Sequence, residues 1–251
     1  MTPEQQKRYS RQIKLPQVGE AGQNKLLRSS VMIVGLGGLV SPVAMYLSAT
    51  GIGKMILTDY DHVDESNLQR QIVHKNASIG QLKASSARET LLSINPETEI
   101  LDLNYELDSD ELIEQIKNVD VIVDCTDNHP TRFELNRVSV LTGTPLVSGA
   151  AIRWEGLISC FFPTNKLSPC YQCLFPDTEF EAATCAMEGV IAPIVGIIGS
   201  MQAMQVINCL LRTSDGLMGK VLMFDGITME WETINLIRNP ECPACSNKNS
   251  N

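Results

Sequence analysis

A short apolar run that leads directly into a glycine-rich turn is the feature that most constrains the fold. Residues 31–34 read Val-Met-Ile-Val, and Gly35-Leu36-Gly37-Gly38 follows at once. An apolar run of this length next to glycines is typical of a strand buried in a parallel sheet. Ser41-Pro42 then predicts the start of a helix, with Ser41 as the N-cap and Pro42 in the first turn. The sequence therefore predicts a strand, a glycine turn and a helix in succession.

Strand and helix signals alternate through the rest of the first half. Short apolar runs predict strands at residues 55–58, 99–104, 120–124 and 145–148. Helical patterns lie between them, at residues 80–94, 108–117 and 131–141. The second of these helices is expected to have Ser109 as its cap. Because alternating strands and helices build parallel pairs, we predict an α/β fold with a doubly wound, mostly parallel, Rossmann-like sheet.

The second half has a different pattern. Apolar stretches predict strands at residues 157–162, 221–224 and 227–236. The last two flank Asp225-Gly226, a pair typical of hairpin turns, so antiparallel strands are expected to continue the sheet. Residues 189–211 carry no charged side chain and are long enough to span a bilayer. Their proline, glutamine and asparagine residues favour instead a helix buried in the core or in a subunit interface.

The glycine turn is typical of nucleotide sites. Glycines allow backbone amides to approach a phosphate, and the helix that follows adds partial positive charge. We therefore expect Gly35, Gly37 and Gly38 to contact a nucleotide. Asp59 ends the next strand, where a carboxylate accepts hydrogen bonds from ribose hydroxyls. Val40 occupies the third glycine position of the usual pattern, and a plain tight turn is the alternative interpretation.

Polar and charged residues beyond Asp59 indicate which nucleotide is bound. The candidate binding residues here are Asp61, Ser66, Asn67, Gln69, Arg70 and Lys83, followed by Asp127 and Asn128 after the fourth strand. Two cations, Arg70 and Lys83, suit a triphosphate better than a dinucleotide. A carboxylate at the carboxyl edge of the sheet, such as Asp127, suits Mg²⁺. The set favours ATP, although the same charges could form a solvated rim.

Four cysteines stand in two CxxC pairs. Cys170-Tyr171-Gln172-Cys173 is the first pair and Cys242-Pro243-Ala244-Cys245 is the second. Each pair can form a tight turn that directs both sulfurs at one ion, and four thiolates make a closed tetrahedral zinc site. Cys125, Cys160 and Cys209 are interpreted as packing residues. The three histidines, His62, His74 and His129, show no metal-binding spacing and are interpreted as surface or loop residues.

Composition excludes several classes of protein. A net charge of −9 and a pI near 4.9 argue against a nucleic-acid-binding protein. Residues 1–11 are polar and charged, so no signal peptide is expected. A cytoplasmic location follows as an expectation. Thiols stay reduced there, which favours metal ligands over disulfides.

These segments together resemble the MoeB/ThiF/HesA enzymes, the bacterial relatives of ubiquitin-activating enzymes. The matching segments are Arg8-Tyr9-Ser10-Arg11-Gln12, Gly35-Leu36-Gly37-Gly38-Leu39, Ser66-Asn67-Leu68-Gln69-Arg70-Gln71, Asp124-Cys125-Thr126-Asp127-Asn128 and both CxxC pairs. They occur in the family's order and cover essentially the whole chain. The segments around residues 147–156 and 196–203 look most similar to the MoeB branch. That branch adenylates a carrier protein of molybdenum cofactor biosynthesis.

The resemblance implies an activity and its site. Enzymes of this family use ATP and Mg²⁺ to adenylate the C-terminal glycine of a small β-grasp protein, MoaD-like in one branch and ThiS-like in another. By resemblance, Asn67, Arg70 and Lys83 hold the triphosphate, and Asp127 positions Mg²⁺. Arg11 would reach into the neighbouring subunit's site, which requires a homodimer. The four paired cysteines would bind Zn²⁺.

Two positions leave questions open. Val40 replaces a glycine that is usual in the family, and its branched side chain is expected to crowd the helix start or narrow the adenosine pocket. Cys185 matches the thiol that links to the carrier in ThiF-like members, and it is a possible nucleophile. The alternatives to the MoaD-like carrier are the ThiS-like carrier of thiamine biosynthesis, an NAD-linked oxidoreductase, and a scaffold without ATP chemistry.

The chain is expected to be a single domain, 1–251. We predict an N-terminal helical arm at 1–29, with a break near Pro16, and a nucleotide-binding core at 30–150. A part that binds the carrier and zinc is predicted at 151–246. No membrane or nucleic-acid partner is expected.

Overall fold

A single eight-stranded sheet organises the computed structural model, which describes residues 1–176, 188–214 and 216–246. The strands are β1 (Ser30–Val34), β2 (Lys54–Thr58), β3 (Glu99–Leu103), β4 (Val121–Asp124), β5 (Leu146–Ile152), β6 (Glu155–Phe161), β7 (Lys220–Asp225) and β8 (Glu230–Asn235). Their order in the sheet is β3-β2-β1-β4-β5-β6-β7-β8. Strands β1 to β5 pair in parallel, whereas β6, β7 and β8 are antiparallel. The predicted mixed Rossmann-like sheet is confirmed.

Helices cover both faces of this sheet. They are α1 (Pro3–Arg8), α2 (Ser10–Ile13), α3 (Gly19–Leu26), α4 (Val40–Thr50), α5 (Lys83–Ile94), α6 (Ser109–Ile116), α7 (His129–Thr142), α8 (Tyr171–Leu174) and α9 (Ala192–Leu211). Strand β1 shows why both faces need cover, since its side chains alternate between two buried clusters. Val31 and Ile33 pack with α4, α5 and α9, whereas Met32 and Val34 pack with α6 and α7. Such two-sided burial requires a continuous apolar strand rather than an alternating one.

The order of the strands determines where a ligand can bind. After β1 the chain moves to β2 and β3 on one side, and it then crosses to β4 on the other side of β1. Helices that leave β1 and β4 therefore lie on opposite faces of the sheet. A crevice opens at the carboxyl ends of these two strands, which is the general ligand-binding position in doubly wound sheets.

Helix α9 is the uncharged segment that the sequence placed in the core or in an interface. By length and composition it could cross a membrane, yet 50% of that stretch is buried inside the protein. Buried residues include Ile194, Ile198, Gln202 and Val206. Gly199 allows the helix to approach the start of α4, because a Cβ there would lie 2.4 Å from the carbonyl oxygen of Leu39. The core interpretation of α9 agrees with this packing.

Three local predictions about helix caps and turns were wrong. Helix α4 begins at Val40, and the Ser41 hydroxyl instead accepts a hydrogen bond from the backbone N–H of Val73. Helix α6 is capped by Asp108 rather than Ser109, because the Asp108 carboxylate reaches two backbone N–H groups of the first turn. The predicted β7–β8 hairpin is confirmed, but it pairs Asp225 with Glu230, so its turn has four residues instead of the two between the predicted strands.

Candidate nucleotide cleft and metal centre

A cleft of about 710 Å³ lies at the carboxyl ends of the parallel strands. The sequence-predicted residues that line it are Gly35, Gly37, Gly38, Asp59, Asp61, Asn67, Arg70, Lys83, Asp127 and Asn128. Ser66, Gln69 and Arg11 belong to the predicted site but do not line the cleft, and all three are exposed. The fold thus brings together predicted residues that lie between positions 35 and 128 of the chain.

Asp59 holds the glycine turn in shape. One of its carboxylate oxygens accepts a hydrogen bond from the backbone N–H of Leu36 at 2.6 Å, and the other accepts from Asp61 N–H at 2.8 Å. Gly35 has a φ of +83°, and a Cβ there would lie 3.1 Å from the Cys125 carbonyl oxygen. Glycine is therefore required at this position. A carboxylate has about four acceptor sites, so Asp59 retains capacity for ribose hydroxyls.

Val40 does not narrow the cleft. Its side chain is fully buried and belongs to the core cluster with Val43, Ala44 and Leu47. Because α4 already begins at Val40, the side chain points into packing that a glycine would leave empty. The expectation that Val40 crowds the nucleotide pocket is wrong, since the cleft lining includes Leu39 and omits Val40.

Two of the predicted binding residues, Asp61 and Ser66, hold positively charged side chains in place. The Lys83 ammonium lies 2.9 Å from the Asp61 carboxylate, and the lysine side chain is only 9% exposed. The Arg70 guanidinium donates to the Ser66 carbonyl oxygen at 3.1 Å. Asp61 and Ser66 therefore hold Lys83 and Arg70 at the cleft, which both cations line. Preorganised cations of this kind stabilise phosphate charge.

The turn between β4 and α7 carries Asp127 and Asn128. Asn128 caps α7 by accepting a hydrogen bond from Thr131 N–H at 3.0 Å. Below the turn, the buried Arg132 guanidinium donates to the carbonyl oxygens of Thr126 and Gly149. Burial opposes the charge of Arg132, but the Asp124 carboxylate, Tyr171 and Asp127 together outweigh it, and the pKa of the guanidinium is raised. The exposed Asp127 carboxylate therefore projects from a turn that is fixed on its inner side.

Sequence reasoning missed several residues of the cleft. Arg132, His129 and Phe175 line it, although the histidine was interpreted as a surface or loop residue. Gln71 also lines the cleft; it is 3% exposed, and its amide oxygen has no hydrogen-bond partner. His74, interpreted as a surface or loop residue, lies outside the helices and strands but is buried, and burial lowers its pKa. Gln71 is the last residue of segment 66–71, which the sequence analysis had already identified. The other residues reach the cleft only through tertiary packing.

The four paired cysteines meet at one point. Their sulfur atoms lie within 4.8 Å of one another, and the distances from Cys170 to Cys242 and from Cys173 to Cys245 are both 3.6 Å. Tetrahedral thiolates at the usual Zn–S length of about 2.3 Å would stand about 3.8 Å apart. A disulfide requires about 2.0 Å, and these thiols are free. The donor set and spacing therefore fit Zn²⁺.

Charge at this four-cysteine cluster also suits a cation. Hydrogen bonds from the Cys170 thiol and from backbone N–H groups lower the pKa of Cys173 to about 4. The surroundings of Cys173 therefore favour its thiolate form. Cys125 and Cys160 differ, because burial raises the pKa of each thiol well above its usual range. Cys185 lies outside the described residues, so its role as a nucleophile stays a prediction.

Replacing Cys242 with serine should release the metal. A serine hydroxyl is a poor zinc ligand, and the loss of a closed site removes binding energy that contributes to folding. We expect zinc content to fall from about one ion per chain to near zero, with a melting temperature at least about 10 °C lower. Elemental analysis and thermal unfolding measure both. Cys209→Ala, outside the cluster, is the control; a Cys242→Ser protein with full zinc content would contradict the assignment.

Strand order, glycine turn and cleft define a class of protein, the α/β nucleotide-binding enzymes with Rossmann-like sheets. Comparison narrows this class, because the sequence profile described as the ThiF family matches residues 9–244. The chain belongs to the ThiF family. The structure of Escherichia coli MccB with ATP superimposes with a TM-score of 0.80 at 23% identity, covering 95% of this chain and 74% of that one.

Curated relatives are more similar in sequence. The Escherichia coli molybdopterin-synthase adenylyltransferase is 44% identical over 238 residues, which is 95% of either chain. The Dictyostelium discoideum protein named adenylyltransferase and sulfurtransferase MOCS3 is 42% identical over 252 residues, 99% of this chain. This chain spans 59% of the length of that second relative. The predicted membership of the family is confirmed by these matches.

Proposed function

We propose that this protein adenylates the C-terminal glycine of a small β-grasp sulfur-carrier protein, with ATP as the nucleotide and pyrophosphate as the second product. One observation carries the proposal. The cleft joins a glycine turn, the Asp59 carboxylate, the cations Arg70 and Lys83, and the Asp127 carboxylate in a single crevice. Sequence similarity to a molybdopterin-synthase adenylyltransferase supports a MoaD-like carrier and molybdenum cofactor biosynthesis.

The chemistry needs no side-chain base. A terminal carboxylate is already ionised at neutral pH, and its oxygen attacks the α-phosphorus of ATP while the bond to the pyrophosphate oxygen breaks. The product is an acyl-adenylate whose carbonyl accepts a sulfur nucleophile. Catalysis must then come from positioning and from neutralising negative charge. The preorganised pair Arg70 and Lys83 supplies fixed positive charge for this purpose.

Each remaining residue has a proposed role. Gly38 and the amides of the turn contact phosphate, Asp59 binds the ribose, and Asn67 and Asn128 contact the nucleotide. Mg²⁺, when bound, would neutralise phosphate charge, and the exposed Asp127 carboxylate is the residue that would hold it. The four-cysteine cluster would hold Zn²⁺, and the reduced thiols it needs agree with a cytoplasmic location. Cys185 stays a possible second nucleophile.

A homodimer is part of the proposal. Arg11 belongs to α2, is exposed, and does not line the cleft of its own chain. Its proposed contact is therefore with the nucleotide in the partner's cleft, where a third cation would add to Arg70 and Lys83. The proposal also divides the single domain into an arm (1–29), a nucleotide-binding core (30–150) and a carrier- and zinc-binding part (151–246).

Offering purified carriers tests the proposal. The protein is mixed with ATP, Mg²⁺ and either a MoaD-like or a ThiS-like carrier, and pyrophosphate release and the mass of the carrier are followed. We expect release that depends on the MoaD-like carrier, with an added AMP mass, and none with a carrier lacking its terminal glycine. Turnover with the ThiS-like carrier alone would move the function to thiamine biosynthesis. Turnover of NADH alone, or no reaction with any β-grasp carrier, would overturn the proposal.

A further inference from the structure

Tyr171 stands between the two cysteines of the first CxxC pair and faces away from them, toward the cleft. It is 1% exposed, and its ring packs against Phe133, Phe161 and Phe175 at centroid distances of 5.5, 6.2 and 4.9 Å. Its hydroxyl lies 3.1 Å from Nδ1 of His129, which lines the cleft. One buried side chain therefore spans the distance from the metal centre to the wall of the cleft.

Helix α8, which begins at Tyr171, is joined to α7 at a second point. The backbone N–H of Tyr171 donates to the side-chain oxygen of Asn136 at 2.8 Å. The amide nitrogen of Asn136 in turn donates to the sulfur of Cys170 at 3.6 Å. His129 and Asn136 are seven residues apart on α7, which is about two helical turns or roughly 10 Å. Contacts at two separated points fix the direction of a helix as well as its position.

The N-terminal end of α7 determines where Asp127 lies. Helix α7 begins at His129, only two residues after Asp127, and Asn128 is its cap. Arg132, on the first turn, also holds the carbonyl oxygen of Thr126. A shift of this helix end would therefore move the Asp127 carboxylate and the Asn128 side chain together. The Tyr171 hydroxyl contacts the helix at its first residue.

We infer that Tyr171 is a positioning residue that couples the four-cysteine cluster to the nucleotide cleft. When a metal orders Cys170 and Cys173, the tyrosine between them is fixed, and its hydroxyl holds His129 and the start of α7 in the arrangement that binds the nucleotide. Metal loss would release the same contacts and loosen the Asp127 turn. The nucleotide part of this inference rests on the proposed function, whereas the structural coupling does not.

Tyr171→Phe isolates the hydroxyl, because the ring and its packing remain. In the whole chain of 251 residues we expect unchanged zinc content and about fivefold faster hydrogen exchange at residues 127–133. Affinity for ATP with Mg²⁺, measured by calorimetry, should fall about five- to tenfold. Hydrogen exchange in β2 serves as an internal control and should not change. Only a general loss of stability would raise exchange in β2 as well. Tyr46→Phe, an exposed tyrosine on α4, is the matched control.

A comparison with the metal-free protein completes the test. Cys242→Ser should raise exchange at residues 127–133 in the wild-type background, but by less than about twofold in the Tyr171→Phe background, because the contact is already lost. Unchanged exchange in Tyr171→Phe, or equal effects of Cys242→Ser in both backgrounds, would overturn the coupling. If the wild-type protein binds no ATP, the proposed function fails, and the exchange data still decide the coupling.

Discussion

Replacing Asp127 with alanine is expected to lower the rate of carrier adenylation by about 10²- to 10³-fold. The carboxylate projects into the cleft from the β4–α7 turn, and it is the group proposed to hold Mg²⁺ against the phosphates. Its loss would leave the developing charge on the leaving pyrophosphate without this cation. Pyrophosphate release at saturating ATP and carrier measures the effect. Raising the Mg²⁺ concentration should restore little activity, because the missing group is the protein carboxylate that would hold the ion.

The design of this test separates chemistry from folding. Asp127 is exposed and makes none of the hydrogen bonds that hold the turn, which come from Asp124, Arg132 and Asn128. The variant should therefore melt within about 2 °C of the wild type. Asp110→Ala, an exposed carboxylate on α6 outside the cleft, is the matched control. An Asp127→Ala enzyme with wild-type turnover would remove this residue from the proposed site.

The sequence was sufficient to predict the centre of the sheet because strands β1, β2 and β4 are buried on both faces. Continuous apolar runs such as residues 31–34 and 121–123 admit few alternatives, and the glycine turn identifies which strand comes first. Helix caps were harder to predict. Asp108 and Ser109 are both good N-caps, and which one is used depends on a difference of one residue in where the backbone enters the helix. Asp-Gly likewise suggested a turn that the register of β7 and β8 does not use.

The candidate site likewise contains residues that the sequence could predict and residues that it could not. Residues with a chemical signature in the sequence, such as Asp59, Lys83 and the paired cysteines, could be named in advance. Asp61 and Ser66 were predicted to bind the nucleotide, and the structure shows them as partners of the cations Lys83 and Arg70. His129 and Tyr171 could not be placed, because their contact joins segments 42 residues apart. Long-range contacts of this kind leave no periodicity or spacing to read.

The position of Arg11 leads to the second large prediction. Single substitutions cannot tell whether this residue acts in its own cleft or in that of a partner, because Arg11→Ala would inactivate a homodimer in either case. A heterodimer can. One subunit carries Arg11→Ala and the other Asp127→Ala, each with a different affinity tag, and the mixed dimer is isolated by two successive purifications.

If Arg11 acts across the dimer, one cleft of the mixed dimer has Asp127 from its own chain and Arg11 from the other, and it is complete. The other cleft lacks both. The heterodimer should therefore show about half of the wild-type activity, while each homodimer falls about 10²-fold or more. If Arg11 serves its own cleft, both sites of the mixed dimer are damaged and activity stays at the level of the homodimers. Single-turnover formation of acyl-adenylate counts active sites directly, so one site per mixed dimer supports action across the interface and none rejects it.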